Sequence, residues 1–464
     1  MTIKKAVILT VVGAVVGGAA TSCGIYKKYE TPKNTALTAA YVEARNDSAS
    51  SDSTAFGNLL WEDVFTDPVL ADLINRALVN NTNLKDAQLN VGIAKAQFRG
   101  AKLAYLPSLA IAPNGGVSGT SITGSTSTWT YQIPATVSWE IDIFGKLLNN
   151  KRAAQVAVEQ SEDYAQAVRS QIITGVASCY YAMAATEAQL RLCRSTALLW
   201  EKSVQTMRDL KESSGVTEAG VVQADANYRS VLAQVTSLEV ARHELDNSMS
   251  LLLNALPQHY EVSPDATLSI PNMFVQGVPM HYLSMRPDVA AAERGMASAY
   301  YATNQARAAF YPGLTITANG GFTNSFGTMV MNPGEWFWNA AGSLVAPIFS
   351  RGQNKARLDA AKLTQQMKLN AFERTVLSAA AEVSNALTSY EKAGERKAIL
   401  DVQVSDLEKA VEYTNDLLVY ADGTYLEVLT AQQSLLSAQM NRIGTELDRV
   451  QSIISLYQSM GGGR

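Results

Sequence analysis

The stretch Tyr131-Gln-Ile133-Pro-Ala135-Thr-Val137-Ser-Trp139-Glu-Ile141-Asp-Ile143-Phe-Gly145-Lys146 decides the architecture. From Tyr131 to Ile143, apolar residues alternate strictly with Gln132, Pro134, Thr136, Ser138, Glu140 and Asp142. Period two is the signature of a strand with one apolar and one polar face. Past Gly145 the pattern changes. The chain becomes rich in Ala, Leu, Glu, Gln and Lys, and no Pro occurs between Pro134 and Pro257. Without the strongest helix breaker, the strand should run into a very long helix.

The same change of period occurs a second time. Ile316, Ala318 and Phe322 alternate with Thr315, Thr317 and Asn319, and residues 109–117 and 336–348 behave similarly. Strands are expected at about 105–118, 130–144, 312–325 and 335–349, each pair joined by a Gly/Ser/Thr/Asn-rich loop. Trp129, Trp336, Phe337 and Trp338 fall at strand starts, where membrane barrels carry aromatic girdles. No Pro follows Pro347. The two Pro-free stretches break best at Ser213-Ser214-Gly215 and Ala421-Asp422-Gly423. That predicts long helices at about 146–212 and 351–420, followed by helices at about 217–256 and 424–460. Each long helix spans roughly 100 Å. Many of their apolar positions are Ala, among them Ala153, Ala154, Ala157 and Ala379–Ala381, which suits a coiled-coil-like array of closely approaching helices. Earlier helices are expected at about 61–78, where Leu70, Leu73, Ile74, Ala77 and Leu78 share a face, at 84–104 and again at 287–310.

The halves repeat. Pro107 and Leu109 match Pro312 and Leu314; Asn114-Gly115-Gly116 matches Asn319-Gly320-Gly321; Ile143-Phe144-Gly145-Lys146 matches Ile348-Phe349-Ser350-Arg351. A single offset, 205, relates all three, so the chain reads as a duplication of helix, hairpin, long helix and helix.

Four strands cannot close a membrane barrel, and an open edge in lipid leaves backbone groups unpaired. Strands must be pooled between chains. An eight-stranded barrel is filled by its own side chains, so an aqueous conduit favours three or more copies.

The N-terminus carries Lys4 and Lys5, then an apolar Gly/Ala-rich run over about 6–20, ending in Ala20-Thr21-Ser22-Cys23. This resembles a bacterial lipobox: a signal peptide over 1–22 and acylation at Cys23. The polar stretch 23–58 reads as an extended tether. Elsewhere no run approaches the roughly 20 apolar residues of a membrane-spanning helix. Charged residues are 17% and net charge is −4, which supplies no basic footprint for nucleic acid. Cys179 and Cys193, on one helix, would lie about 21 Å apart along its axis. A disulfide needs Cα atoms within about 7 Å, so they are expected as buried apolar residues.

Several strings resemble the outer-membrane efflux protein family, TolC-like, in its lipoprotein branch. They are Trp61-Glu-Asp-Val-Phe65-Thr-Asp67-Pro68-Val-Leu70, Ser138-Trp-Glu-Ile-Asp-Ile-Phe-Gly145-Lys, Arg286-Pro287-Asp288-Val289 with Ala292-Glu293, and Pro347-Ile-Phe-Ser-Arg-Gly352. Tyr420-Ala-Asp-Gly423 running to Leu429-Thr-Ala431-Gln432 resembles the family's periplasmic tip. The likeness covers essentially the whole mature chain. It implies a mainly α chain with a β-barrel part: a homotrimer with a twelve-stranded transmembrane β-barrel and a trimeric α-barrel of long antiparallel helices. It implies an outer-membrane location, with Gly24 after Cys23 favouring it, and extension into the periplasm. The implied partners are a periplasmic adaptor and an inner-membrane pump of the resistance-nodulation-division type, with no cofactor.

On this reading residues 59–256 and 281–460 are the two repeats and 257–280 is a linker. The resemblance places a channel-lining acid at Glu427, and Asp422 lies in the adjacent turn; in a trimer each forms a ring of three, which holds cations and disfavours anions. Where the family often has a further acid this chain has Thr430. Gly215 and Gly423 close the helical hairpins and are candidates for adaptor docking. Arg286-Pro287-Asp288 reads as structural: Pro287 pre-sets the first turn of a helix and Asp288 suits its positive end. His243, His259 and His281 show no metal spacing and no nucleophile beside them, and no catalytic constellation is visible. Met329 and Met331 lie in an expected outer loop, where soft-metal contact competes with a plain loop role. The resulting function is a passive export duct. Drug, metal-cation and protein export share this architecture, so a type I secretion channel stays open as an alternative. A lipid-anchored coiled-coil scaffold is the reading from another class, and the amphipathic strands argue against it.

Overall fold

The computed structural model describes residues 26–33, 35–47, 59–120, 126–212, 217–263, 281–324, 335–420 and 424–463. Cys23, Gly215, Asp422, Gly423, Met329 and Met331 lie outside the described residues. The chain forms two compact units. The first comprises 1–33, 89–162 and 291–373; the second comprises 34–88, 163–290 and 374–464.

In chain order the helices are α1 (Ala36–Asp47), α2 (Trp61–Val64), α3 (Pro68–Asn80), α4 (Thr82–Leu103), α5 (Lys146–Glu212), α6 (Glu218–Leu252), α7 (His281–Met285), α8 (Pro287–Ala308), α9 (Gln353–Tyr420) and α10 (Tyr425–Ser459). The strands are β1 (Ser108–Ile111), β2 (Asn114–Thr120), β3 (Thr126–Ile141), β4 (Gly313–Asn324) and β5 (Glu335–Val345). The fold is mainly helical with one small sheet. The two halves match in length: α4, α5 and α6 have 22, 67 and 35 residues, and α8, α9 and α10 have 22, 68 and 35.

The structure refines the repeat. Thr82–Leu103 and Pro287–Ala308 keep the offset of 205 at both ends. From the second strand of each hairpin onward the offset is 207, which takes Lys146, the start of α5, to Gln353, the start of α9. Both helices are preceded by a positive-φ glycine, Gly145 at +72° and Gly352 at +75°. Gly145 therefore corresponds to Gly352, not to Ser350, and the string match at Ile348-Phe349 falls two positions out of structural register. The second hairpin is longer than the first by two residues. The residues just past the C-caps Leu253 and Met460 agree too, because Asn254 and Gly461, both at positive φ, are related by the same 207.

Within the first unit all strands form one antiparallel sheet in the order β1-β3-β4-β5, with β2 also on β3. β1 and β2 share a single register against β3: Ile111 pairs with Ala135 and Asn114 with Gln132. They are one strand interrupted at Ala112-Pro113, opposite Pro134, where two prolines lack the N–H a ladder needs. The sequence expectation of one unbroken strand there is corrected to that extent. Gly321 faces Pro134 because a Cβ there would lie 2.1 Å from the Ile133 carbonyl oxygen. At the strand-to-helix corner Asp142 Oδ2 accepts the Leu148 N–H at 2.7 Å, and Asn149 Nδ2 donates to the Gly145 carbonyl at 2.6 Å.

The second unit corrects two further expectations. The tether is not extended throughout, because Ala36–Asp47 is helical and buries Thr38, Tyr41 and Val42. Reciprocal bonds between Thr35 and Thr38 hold its start. The single helix expected over 61–78 is broken before Pro68, which sits in the first turn of α3 while Asp67 caps it through the Val69 and Leu70 N–H groups. The core of this unit includes Ile173, Tyr180, Met183, Leu70, Ile74, Phe65 and Tyr457. Cys179 and Cys193 are buried free thiols; burial pushes Cys179 up to about 11.

Candidate functional site: an apolar sheet face and two helical hairpins

Cross-strand partners lie on the same face of a sheet. The register joins Ile133 to Phe322, Val137 to Ala318, Trp139 to Ile316 and Ile141 to Leu314. It continues from Leu314 to Leu344, Gly320 to Trp338 and Phe322 to Trp336, and on the other side from Val137 to Leu109. Between Ile133 and Ile141, and across the strands paired there, this face carries only apolar residues and glycine. It is open to the surroundings: Leu109 is 70% exposed, Trp338 76% and Leu344 64%. The opposite face carries Gln132, Thr136, Ser138, Glu140, Thr315, Thr317 and an Asn319–Asn339 side-chain bond of 3.0 Å. A water-soluble sheet buries its apolar face; this one shows it. That inversion is the chemistry of a strand surface solvated by lipid on one side and water on the other. Among the described residues no helix is long and apolar enough to cross a membrane.

The second unit supplies a helical seam. On α5, Cys193, Ala197, Trp200, Val204 and Met207 recur at alternating spacings of four and three. Val221, Ala224, Tyr228, Val231, Val235 and Leu238 do the same on α6, and α10 contributes Tyr425, Leu429, Leu436 and Met440. This is a heptad seam, the packing of long helices that supercoil left-handedly. Each fully buried large side chain contributes about 1.5–3 kcal/mol. Asp225 lies off the seam and pairs with Arg208 at 3.4 Å and with Arg229 at 2.7 Å. The Arg208 pair and a Lys211–Glu218 bridge tie the end of α5 to the start of α6. Both are mostly exposed, so each contributes at most about 1 kcal/mol.

At the other hairpin Glu427 is exposed, and its Oε2 accepts the Thr424 N–H at 3.2 Å as the N3 residue of α10. Its carboxylate therefore caps the helix start. The Thr430 hydroxyl donates back to the Leu426 carbonyl at 2.8 Å.

Arg286 is buried at the head of α8. Its guanidinium donates to both carboxylate oxygens of Asp288 at 3.0 and 2.7 Å, to Glu382 Oε2 at 2.7 Å and to the Ser459 carbonyl at 3.0 Å. Burial disfavours its charge, but the bonds and charges of Asp288 and Glu382 outweigh that and raise its pKa. The other repeat has the same latch in neutral form. Asn81 heads α4, caps it through the Asn83 and Leu84 N–H groups, and donates to the Leu252 carbonyl at 2.8 Å. The sequence expectation began that helix at Leu84 rather than Thr82 and so missed the cap, although Asn before a helix is its usual signal.

A second hub was also missed. Asp246 accepts bonds from Arg242, from His259 Nδ1 at 3.0 Å and from the Tyr260 N–H at 3.1 Å. Burial pushes this carboxyl up, and the bonds from His259, Arg242 and Tyr260 more than offset it, leaving it below the usual range. Among the described residues no group of three or more His, Cys, Asp or Glu could hold a metal ion.

The outer membrane efflux protein family model matches residues 73–255 and 278–462. The chain is 27% identical over 411 residues to the cation efflux system protein CusC of Escherichia coli O6:H1, covering 88% of this chain and 89% of that protein. It is 28% identical over 413 residues to the probable outer membrane lipoprotein SilC of Salmonella typhimurium, covering 87% and 88%. The solved outer-membrane channel OprN shares the fold, with a TM-score of 0.85 at 24% identity over 95% of this chain and 99% of that one. The chain belongs to the outer membrane efflux protein family. It is an outer-membrane channel component of an efflux system.

Proposed function

We propose that three copies of this chain close a twelve-stranded barrel and form the passive exit duct of a tripartite efflux pump. The sheet carries the reading: its exposed face is apolar, and its edge strands, β1/β2 and β5, have main-chain groups that lipid cannot satisfy. Eight strands from two copies would be plugged by side chains, whereas twelve leave a lumen. Transport of this kind needs no catalysis and no cofactor.

In this reading residues 1–22 are a signal peptide, and Cys23 carries the acyl anchor of the tether that follows. Residues 59–256 and 281–460 are the two repeats, joined by 257–280. Gly215 and Gly423 turn the hairpins that meet a periplasmic adaptor, through which an inner-membrane pump delivers cargo. Glu427 and Asp422 form acidic rings at the tip, and Glu427 also caps its helix through Oε2. The lipoprotein named among the relatives supports the anchor.

Native mass spectrometry of the detergent-extracted full-length protein tests this. The expected species is a trimer of chains beginning at an acylated Cys23. A monomer that stays soluble without detergent and carries no lipid overturns the duct.

A further inference from the structure

Positive charge gathers at one end of the sheet. The registers pair Leu109 with Val137, Ile141 with Leu314 and Gly313 with Val345, so the start of β1, the end of β3, the start of β4 and the end of β5 lie together there. Short links join these strand ends to four helix ends: 104–107 to α4, 142–145 to α5, 309–312 to α8 and 346–352 to α9. Arg99 and Lys102 lie near the end of α4, and Arg307 near the end of α8. Lys146, Lys151 and Arg152 open α5, while Arg351, Lys355 and Arg357 flank the start of α9. Across residues 99–107, 140–152, 304–312 and 346–359, nine cations stand against three carboxylates, Glu140, Asp142 and Asp359, although the whole chain has a net charge of −4.

Helix electrostatics and ion pairing do not account for this collar. Cations suit the C-terminal ends of α4 and α8. They do not suit the N-terminal ends of α5 and α9, which favour acids, yet neither helix has an acid in its first turn. Of the nine cations only Lys146 forms an ion pair, with Glu140 at 2.8 Å. Asp142 is engaged by the Leu148 N–H. Lys102 and Lys151 lie over the Phe98 and Tyr105 rings at 4.4 and 5.9 Å, and Arg152 donates to the Tyr26 carbonyl at 3.4 Å; none of these contacts cancels the charge. All nine except the half-buried Lys151 and Arg152 are exposed.

The depth of the collar matches a membrane surface. The apolar face runs to this end of the sheet through Ile141, Leu314 and Leu344. Phe144 then stacks on Tyr311, ring centroids 4.9 Å apart, and the cations follow. Arg152 lies six residues into α5, about 9 Å along its axis. The headgroup layer of a bilayer is about 5–8 Å deep on each side. Tyr26 lies against Gly145 at the same corner, and three residues separate it from Cys23, a reach of at most about 11 Å.

We propose that this collar binds the headgroups of anionic phospholipids in the leaflet nearest the long helices. This rests on the reading of the sheet as the membrane-spanning part and adds a lipid preference to it. Each cation beside an anionic leaflet is worth roughly fivefold in affinity.

Native mass spectrometry of the full-length protein, in non-ionic detergent with equal phosphatidylglycerol and phosphatidylcholine, tests it. Bound phosphatidylglycerol should exceed phosphatidylcholine at least tenfold, and the excess should shrink as salt rises. The triple variant Arg351→Gln, Lys355→Gln, Arg357→Gln replaces exposed side chains that hold no ion pair, and should lower that ratio at least fivefold. Lys392→Gln with Arg396→Gln, farther along α9, should leave it unchanged. Equal binding of the two lipids by the unaltered protein, a ratio that the triple variant leaves intact, or the same loss from the distant pair overturns the collar alone. A protein that binds neither lipid and stays dispersed without detergent overturns the membrane reading beneath it.

Discussion

Replacing Arg286 by Ala should loosen the head of α8 and the tail of α10 without melting the rest of the second unit. The buried Ser459 carbonyl loses a charged donor, worth about 1.5–3 kcal/mol. Asp288 and Glu382 also lose their partner. Their side chains are 44% and 51% exposed, so water takes over and each loss is at most about 1 kcal/mol. The sum is about 1.5–5 kcal/mol, or roughly 10- to 4,000-fold in a local opening equilibrium at about 1.4 kcal/mol per decade. Hydrogen exchange read by mass spectrometry measures that opening directly. Amides of the first turn of α8 and the last turn of α10 should exchange faster by that factor, while mid-α5 stays unchanged. Arg286→Lys should fall between, because an ammonium cannot make the two-pronged contact with Asp288. Asn81→Ala at the repeat-equivalent latch should cost about 1–3 kcal/mol, a smaller effect, at the head of α4. Acceleration below threefold for Arg286→Ala, or a larger effect from Asn81→Ala, refutes the account of this latch.

On the sheet, Val137→Lys puts a charge on the apolar face, at about 2–4 kcal/mol near a bilayer midplane, whereas Thr136→Lys on the polar face should be tolerated; yield of assembled protein in the outer-membrane fraction separates them. Gly352→Ala meets no atom within 4 Å, so its effect is the left-handed backbone alone, about 1–2 kcal/mol. Gly145→Ala adds a Cβ 3.3 Å from the Tyr26 ring and should lower the denaturation midpoint further. The folded-state pKa of Asp246 lies below its unfolded value of about 3.9, so its stabilisation is complete above that pH and is lost as pH falls through the folded value. Exchange protection of the Tyr260 amide, corrected for intrinsic rates, should hold from about pH 7 to 5 and fall only below about pH 4. Asp246→Asn should reduce it throughout.

Much of the fold was legible because it is written in local periods. Alternation from Tyr131 to Ile143 marks a strand whatever it pairs with, and absence of proline over a long Ala- and Leu-rich stretch leaves helix as the outcome. Short local signals were lost where composition outweighed them. The polar run before residue 58 concealed α1, whose start is held by Thr35 and Thr38, and the cap at Asn81 sat outside the expected helix. The repeat was found by matching strings, yet the match at Ile348-Phe349 misled by two positions. Hairpin register and a positive-φ glycine reveal structural equivalence there, and neither is carried by residue identity.

By itself, the sequence determined the element types, the great length of α5 and α9, the duplication and the family likeness. Each depends on periodicity or order along the chain. Only the tertiary structure decided that β1 and β2 are one interrupted strand, that Arg286 reaches both Glu382 and Ser459, and that Asp246 gathers Arg242, His259 and Tyr260. Those contacts join residues from 4 to 173 positions apart. Packing of whole helices and the pairing of strands bring such groups together, and spacing along the chain does not encode that.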